Sequence, residues 1–341
     1  MLIFEPKHSG HRLTLYLRLI LEEARRREIP VTLITSRVSF NSNICQKLLS
    51  EYSDCLSVKN FAWLNNRVIS FIILFYLSIT KAPSRKLIIL TLDPFIWFIP
   101  LLNLFGSRNV VSVHLKTYRL LRKKRNNIFF KYFLRACIYH RYVLGNTLFT
   151  IDPVAKKIID RLTGQEVFDN LSDPVDTLGY TLTDIKSHTE NADNDLLVYG
   201  SINKTKAADK AIEFAASSGF SIIVAGKQTN EEKEKLTARP GNATFYDYFL
   251  EEADLAKLVG NSKVIWLGYE DNDAGSSGVL HTSVFLQKHF IVRSPSKYVR
   301  NFCKQYPTQI LKMGDYQLIR VHAAPEEVLE RNQEFQEAFF V

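Results

Sequence analysis

The sequence predicts an α/β protein made of two doubly wound parallel-sheet halves, and three observations indicate this. The length of 341 residues fits about two domains of ordinary size. Short apolar runs that are typical of buried strands alternate with segments of helical periodicity. The alternation stops at a polar stretch near the middle of the chain and then begins again, which predicts a second copy of the same architecture.

The first half opens with a strand, a helix and a second strand. Residues 2–4 are apolar, residues 12–27 repeat apolar side chains at helical spacing, and residues 31–35 are rich in β-branched side chains. Further buried strands are predicted at 87–92, 110–113 and 148–151. The polar residues that follow them are Asp93, His114 and Asp152. Ligands of such sheets bind at the carboxyl ends of the strands, so these ends are candidate site positions.

After a polar, irregular stretch the alternation of strands and helices resumes. Strands are predicted at 195–199, 220–225, 243–246, 264–267 and 290–292, with helices at 206–217 and 251–259. We therefore expect an N-terminal domain over 1–170, a linker over 171–194 and a C-terminal domain over 195–325, leaving a cleft between the two domains. Residues 326–341 are expected to form a helix, and a return to the N-terminal domain is one arrangement for it.

The composition is that of an ordinary globular protein. Hydrophobic residues make up 46% and charged residues 23%, which excludes disordered, collagen-like and disulfide-scaffold classes. The four cysteines show neither paired spacing nor a metal-binding pattern, so we expect a reducing compartment, the cytosol. No basic segment precedes an apolar run at the N-terminus, and no secretory signal is expected.

The net charge of +9 comes from one region of the chain. Between Asp93 and Asp152 there is no carboxylate, while ten lysines and arginines lie there. Elsewhere 34 cationic residues face 35 carboxylates. This asymmetry predicts a local anionic partner rather than a general contribution to solubility.

Aromatic side chains interleave the cations between residues 116 and 142. This combination is typical of the surface of an anionic bilayer, and the expected membrane contacts are Arg122, Lys123, Lys124 and Arg125. A nucleic acid would use the same ingredients, but no recognition motif accompanies them, so we expect no nucleic-acid partner. A plain solvated face is the remaining alternative. The apolar runs 68–79 and 95–105 are too short to span a bilayer and are core helices or interfacial segments.

Four stretches of the second half resemble, in order, the nucleotide-binding domain of GT-B glycosyltransferases. They are the glycine and basic turn with its helix at 199–212, the strand and glycine at 222–227, the helix and strand at 249–269, and the Gly/Ser turn at 275–280 with the strand at 290–292. The likeness is to the retaining, family-4-type hexosyltransferases of bacterial polysaccharide biosynthesis. It implies two Rossmann-like domains that face each other across a cleft.

The two glycine-containing turns are candidate sites for the donor diphosphate. A glycine turn that leads into a helix directs unpaired backbone N–H groups and the positive end of the helix dipole toward the crevice. The resemblance implies diphosphate contacts at Gly200, Ser201, Lys204, Lys206, Ser276, Ser277, Gly278 and Val279. The alternative is that these turns are only a solvated loop and a tight helix entry.

The sequence departs from the family at the sugar and ribose contacts. The family's Glu-x7-Glu motif is absent, because Gly275 stands near its first position and Thr282 or Ser283 at its second. Asp271, in the acidic run just upstream, could take the first role. The resemblance implies donor sugar and nucleoside contacts at Gly226, Lys227, Tyr269, Asp271, Thr282 and Ser283.

In the first half the resemblance is carried by the strand 110–113 and the histidine that ends it. It implies a catalytic role for His114 beside the donor sugar, whereas a lone histidine is otherwise more often structural. The loop after the first strand implies acceptor contacts at Gly10 and His11. His8 and His11 lack a third ligand, so no metal site is expected.

These expectations lead to a glycosyltransferase that moves a sugar from a nucleotide sugar, its co-substrate, to a glycan or lipid-linked acceptor. The setting is cell-surface polysaccharide or lipopolysaccharide synthesis, with retention as the family implies, at the inner face of the plasma membrane. No other cofactor is expected. Two alternatives remain at this point: a sugar-nucleotide epimerase of the same fold, and a catalytically degenerate, membrane-associated binding subunit.

Overall fold

In the computed structural model the chain folds into two compact units. One comprises Met1–Asp173 together with Asn332–Val341, and the other comprises Pro174–Arg331. The residues that the structure describes are 1–6, 12–81, 85–96, 99–106, 108–114, 128–182, 184–185, 193–237, 243–248, 250–268, 278–293, 299–300 and 303–340.

The first unit is built on a seven-stranded sheet in which all pairings are parallel. Its strands are β1 (Leu2–Phe4), β2 (Val31–Ser36), β3 (Leu56–Phe61), β4 (Leu87–Ile89), β5 (Val110–His114), β6 (Thr147–Thr150) and β7 (Asp169–Asn170). The order across the sheet is β3-β2-β1-β4-β5-β6-β7. The first three strands extend the sheet to one side of β1, and the strands from β4 onward extend it to the other side, so β1 and β4 are neighbours. Open α/β sheets bind ligands at such a switch point.

Helices cover both faces of this sheet. They are α1 (Arg18–Arg26), which continues a π-helical segment Arg12–Leu17, and α2 (Arg37–Phe40), α3 (Asn43–Glu51), α4 (Arg67–Thr80), α5 (Ile99–Leu104), α6 (Ile128–Tyr142) and α7 (Pro153–Thr163). Local sequence sets their ends. Asp152 caps α7 by accepting the N–H groups of Val154 and Ala155, and Gly164 ends it at a φ of +70°.

The predicted apolar runs form α4 and α5. Leu74 and Leu77 of α4 and Ile99 of α5 pack in one core cluster with strands β1, β4 and β5. Leu48 of α3 packs in a separate cluster with α1. Among the helices of the described ranges, none has the length and the apolar character that crossing a bilayer requires.

The second unit holds a seven-stranded sheet with five parallel strands and an antiparallel hairpin at one edge. Its strands are β8 (Asn194–Tyr199), β9 (Ile222–Ala225), β10 (Ala243–Tyr246), β11 (Ser262–Trp266), β12 (His289–Val292), β13 (Thr308–Met313) and β14 (Tyr316–Val321), in the order β10-β9-β8-β11-β12-β14-β13. The expectation of parallel strands extended only to residue 292. The hairpin turns at Gly314, whose φ is +61°.

The helices of the second unit follow the strands as expected for a doubly wound sheet. They are α8 (Ala208–Ser218), α9 (Asn230–Thr237), α10 (Glu252–Gly260) and α11 (Gly278–Phe285), with a short 3₁₀ turn at Lys204–Lys206. Val175, Leu178 and Ile185, which belong to the stretch expected to be a linker, are buried in the core of this unit.

The last helix, α12 (Pro325–Ala338), contributes to both cores. Val328 is buried in the core of the second unit, whereas Phe335 and Phe339 are buried in that of the first. The Phe335 ring lies 5.0 Å from that of Tyr16, and the Phe339 ring 5.7 Å from that of Phe149. The chain therefore returns to the first unit at its C-terminal end.

Candidate functional site

Two glycines bring the carboxyl ends of β8 and β9 into close contact. Gly200 has a φ of +101° and Gly226 a φ of +136°, both in the region that favours glycine. The N–H of Gly200 donates to the Ala225 carbonyl at 3.0 Å, and the N–H of Gly226 donates to the Tyr246 carbonyl at 2.9 Å. A Cβ on Gly226 would overlap the Gly200 carbonyl. No other residue type fits at position 226 without moving the turn.

The basic turn after β8 folds back so that Lys206 lies beside Gly200. Its Nζ is 3.6 Å from the position that a Cβ on Gly200 would occupy. The Lys206 side chain is buried, and its carbonyl accepts the indole N–H of Trp266 at 3.0 Å. Lys204 is exposed on the same turn, and so is Ser201. The structure thus separates the two predicted lysines: one is held against the glycine, and the other faces water.

The amino end of α11 reaches the same place from a third segment. Cγ2 of Val279, in its first turn, is 4.0 Å from the position of a Cβ on Gly200. The Tyr199 hydroxyl donates to the Val279 carbonyl at 3.5 Å. The first N–H groups of a helix have no partner within the helix and carry its positive partial charge. A backbone glycine, a lysine ammonium and a helix start therefore converge, a combination that suits an anionic group.

Thr282 and Ser283 lie on the buried part of α11. The Thr282 hydroxyl donates to the Asp176 carbonyl at 2.8 Å, and the Ser283 hydroxyl donates to the Val279 carbonyl at 2.6 Å. Both hydroxyl groups therefore already donate a hydrogen bond to a backbone carbonyl of the second unit. A ribose contact by either side chain stays a prediction.

Lys227 follows Gly226 at the carboxyl end of β9 and is well exposed. Its Nζ lies 4.0 Å from Oδ1 of Asp247, which is also 2.8 Å from Nζ of Lys233 through its other oxygen. The hydrogen bond from Lys233, then the one from the backbone N–H of Gln228, lowers the pKa of Asp247. This edge of the sheet carries a fixed carboxylate beside an exposed lysine.

In the first unit, His114 ends β5 and is buried. Its Nδ1 lies 3.3 Å from Oδ1 of Asp93, which follows β4. Burial lowers the pKa of His114, and the negative charge of Asp93 opposes that shift. The imidazole is therefore neutral at pH 7, with a carboxylate beside one ring nitrogen.

Glu5 belongs to the same edge of the sheet and was not among the predicted site residues. It directly follows β1, is fully buried, and accepts the Thr91 hydroxyl at 2.6 Å. Its own carbonyl accepts the Thr35 hydroxyl at 2.7 Å. The signal in the sequence was its place after the first strand, the same position that singled out Asp93 and His114. These carboxyl ends form a polar row at the switch point of the sheet.

Several predicted site residues lie outside the described residues. They are Gly10 and His11 of the acceptor loop, Arg122, Lys123, Lys124 and Arg125 of the basic segment, and Tyr269, Asp271, Ser276 and Ser277 before α11. Within the described part of the chain, no group of three or more His, Cys, Asp or Glu side chains could hold a metal ion. The four cysteines are free thiols.

No protein-family model and no curated protein matches the sequence. Solved structures do match its fold over nearly the whole chain. WaaG, a glycosyltransferase involved in lipopolysaccharide biosynthesis, aligns with a TM-score of 0.57 and 12% identity over 99% of this chain and 93% of its own. AviGT4, a glycosyltransferase involved in avilamycin A biosynthesis, aligns with a TM-score of 0.55 and 10% identity over 99% and 91%.

An α,α-trehalose-phosphate synthase (UDP-forming) from Burkholderia vietnamiensis aligns with a TM-score of 0.52 and 8% identity, over 99% of this chain and 90% of its own. At such low identity the likeness concerns the fold. The expected fold class is confirmed: the chain has the GT-B fold, with two α/β units that each form around parallel strands.

Proposed function

We propose that the protein is a glycosyltransferase that uses a nucleotide-sugar donor. The single observation that carries the proposal is the convergence of Lys206 and the start of α11 on Gly200. These groups come from separate segments of the second unit, and each provides what a diphosphate needs: close backbone approach, positive charge and N–H donors.

In this proposal the second unit holds the donor. The diphosphate lies against Gly200 and Ser201, with Gly278 and Val279 at the helix start, and Lys206 stabilises the negative charge that develops on the leaving group. Lys204 supplies a second positive charge from the exposed side of the same turn. Gly226 and Lys227 line the neighbouring strand end, where the nucleoside is expected.

The first unit supplies the groups at the reacting centre. His114 contacts the donor sugar or orients the acceptor hydroxyl, and Asp93 holds its ring. Because burial keeps the imidazole neutral, one ring nitrogen can accept a proton. The loop with Gly10 and His11, which follows β1 in the sequence, receives the acceptor.

The finer assignment draws support from the roles of the structurally similar proteins. WaaG acts in lipopolysaccharide biosynthesis, and we propose a glycan or lipid-linked acceptor of cell-surface polysaccharide or lipopolysaccharide for this chain. A UDP-forming synthase of the same fold is consistent with a nucleoside diphosphate as leaving group. We further propose transfer of a hexose with retention, without a metal or another cofactor, by a cytoplasmic enzyme at the inner face of the plasma membrane.

A panel of nucleotide sugars tests this function. The purified protein is incubated with uridine, guanosine, adenosine and thymidine diphosphate sugars, and release of the nucleoside diphosphate is measured with and without truncated glycolipid acceptors. Acceptor-dependent release from one donor supports a transferase, and the anomeric configuration of the product, read by NMR, decides retention. Conversion of a donor without acceptor would indicate the epimerase instead. Neither turnover nor binding of any donor would contradict the proposal.

A further inference from the structure

One helix of the first unit is apolar on both of its faces. α4 buries Leu74 and Leu77 against the sheet. On its opposite side it exposes Val68, Ile72 and Tyr76, which are 66%, 57% and 58% accessible and stand four residues apart. Residues at that spacing form one stripe along a helix. A stripe of this kind in contact with water indicates a second apolar partner.

The stripe continues onto α5 and the residue that follows it. The Phe75 and Phe105 rings meet edge to face with centroids 4.8 Å apart, which joins the outer end of α4 to the end of α5. Leu104 and Phe105 are exposed there, at 76% and 57%. The exposed apolar side chains therefore form one continuous surface across two helices rather than isolated positions.

α6, which lies beside α5, adds exposed aromatic residues with polar tips. The Asn103 side chain of α5 donates to the Ala136 carbonyl of α6 at 2.7 Å, so the two helices lie side by side. Tyr132, Tyr139 and Tyr142 are exposed on α6. Tyrosine is enriched at membrane interfaces, where its ring meets the apolar layer and its hydroxyl meets the headgroups.

The stretch of sequence that forms these helices is strongly basic. Between residues 55 and 151 the sequence has fifteen lysines and arginines and one carboxylate, Asp93. That carboxylate lies at the sheet edge beside His114 rather than on the helices. Lys131 and Arg135 of α6 are exposed, and so is Arg67 of α4, which directly precedes Val68 of the stripe. Across the sheet, α1 and α3 expose charges of both signs, Glu22 and Glu51 together with Arg25, Arg26 and Lys47.

We propose that the outer surface of α4, α5 and α6, here called the helical platform, docks on an anionic lipid bilayer. The α4–α5 stripe enters the acyl boundary, while the tyrosines and the basic residues meet the headgroups. A second copy of the chain fits less well, because it would oppose one basic surface to another. Docking of the helical platform on a bilayer does not depend on the proposed function. Only the purpose of docking, access to a lipid-linked acceptor, rests on the proposed function.

The direction of α4 fits that purpose. α4 begins at Arg67, shortly after β3 ends at Phe61, so its amino end lies at the carboxyl edge of the sheet. His114 ends β5 at that same edge, because the strands are parallel. Trp63, between β3 and α4, is 73% exposed. A bilayer under the platform would therefore present a lipid-linked substrate on the side of the sheet that carries the polar row.

Vesicle sedimentation tests the platform with a matched control. Full-length protein is spun with phosphatidylcholine vesicles with and without 30% phosphatidylglycerol, which is about a physiological fraction of anionic lipid. The test variant is Ile72→Gln with Leu104→Gln, which removes apolar area without changing charge. The control is Ile310→Gln on β13 of the second unit, where the isoleucine is similarly exposed, at 52%.

We expect the wild-type protein to bind only the vesicles that contain the anionic lipid, and 0.5 M salt to reverse that binding only in part. Binding is expected to fall about tenfold or more in the double variant and to be unchanged in the control. Equal binding of the double variant and the control would overturn the proposal, and so would no binding to either vesicle. A concentration-dependent dimer in sedimentation velocity that the double variant abolishes would assign the platform to a second copy. Nucleoside diphosphate binding, measured on the same preparations, is expected to be equal in all three proteins. Absence of that binding would therefore contradict the proposed function and not the membrane docking.

Discussion

Nδ1 of His114 lies 3.3 Å from Oδ1 of Asp93, and the two residues come from the carboxyl ends of neighbouring parallel strands. The carboxylate fixes which ring nitrogen faces it, and in the proposed function the imidazole acts on a substrate group. Burial lowers the pKa of His114 more than Asp93 raises it. The pair therefore combines a neutral ring with a fixed orientation.

His114→Ala is expected to lower kcat about 100-fold or more with little change in donor affinity, because we propose that the histidine acts at the reacting centre. Asp93→Asn is expected to lower kcat about tenfold or more through loss of ring orientation. Steady-state kinetics with the donor identified in the nucleotide-sugar panel give kcat and KM separately. A loss confined to KM in both variants would show that the pair serves only substrate binding.

The pH dependence gives a second readout of this pair. In the proposed function activity needs the neutral ring of His114, so the acid limb of the pH profile is expected below pH 6.5, the side to which burial shifts the pKa. Asp93 raises that pKa, so Asp93→Asn is expected to move the limb to still lower pH. A limb that moved upward, or one unchanged in position, would contradict the proposed coupling.

Gly226→Ala is expected to destabilise the second unit and to abolish donor binding, because the new Cβ would overlap the Gly200 carbonyl. Gly219→Ala is the control: its φ of +71° is also left-handed, but no atom lies within 4 Å of the new Cβ. The control is expected to cost about 1 kcal/mol of unfolding free energy. Urea unfolding measures the loss of unfolding free energy in each variant. Equal losses would show that the contact between the turns at Gly200 and Gly226 does not contribute to stability.

A buried histidine in the first unit predicts loss of stability in acid. His140 is held between Asn103, at 2.7 Å from its Nδ1, and Asn146, at 3.3 Å. Burial lowers the pKa of His140 to about 4 from its ordinary value of 6.5. The unfolded chain therefore binds a proton that the folded chain resists, and stability present above pH 6.5 is lost as the pH falls toward 4.

The loss due to His140 is about 3 kcal/mol over that range. Urea unfolding at pH 7.5, 6, 5 and 4.5 measures it in the wild type and in His140→Gln. The variant is expected to have a lower free energy of unfolding at neutral pH and a shallower pH dependence. Equal pH dependence of the two proteins would show that His140 is not the responsible group.

The alternation of buried strands and helices was enough to predict the fold class, because a strand covered on both faces must be apolar along its length. Strand β3 was missed for the corresponding reason: it is an edge strand, and most of its side chains face water. The β13–β14 hairpin does carry a signal, Gly314 and Asp315 between two alternating segments, which is typical of a tight turn.

The candidate site was predictable only in part. The glycines and lysines after β8 could be named from their order in the sequence, but the sequence does not say which lysine folds back onto Gly200. That depends on the left-handed backbone of Ala207, at φ +46°, and on the Trp266 indole that holds the Lys206 carbonyl. Asp93 could be named from its place after a predicted strand, but its position beside His114, and that of Glu5 in the same row, required the sheet order, which places β4 between β1 and β5.

Binding of a nucleoside diphosphate to charge-neutral variants of two lysines decides whether the turn at Gly200 is the donor site. Lys206→Met keeps the buried stem and removes the ammonium, and Lys210→Met, four residues along on α8, is the control. Isothermal titration is expected to show a Kd about tenfold or more weaker for Lys206→Met and unchanged for Lys210→Met. Wild-type affinity in Lys206→Met, with the circular dichroism spectrum retained, would contradict a diphosphate site at this turn.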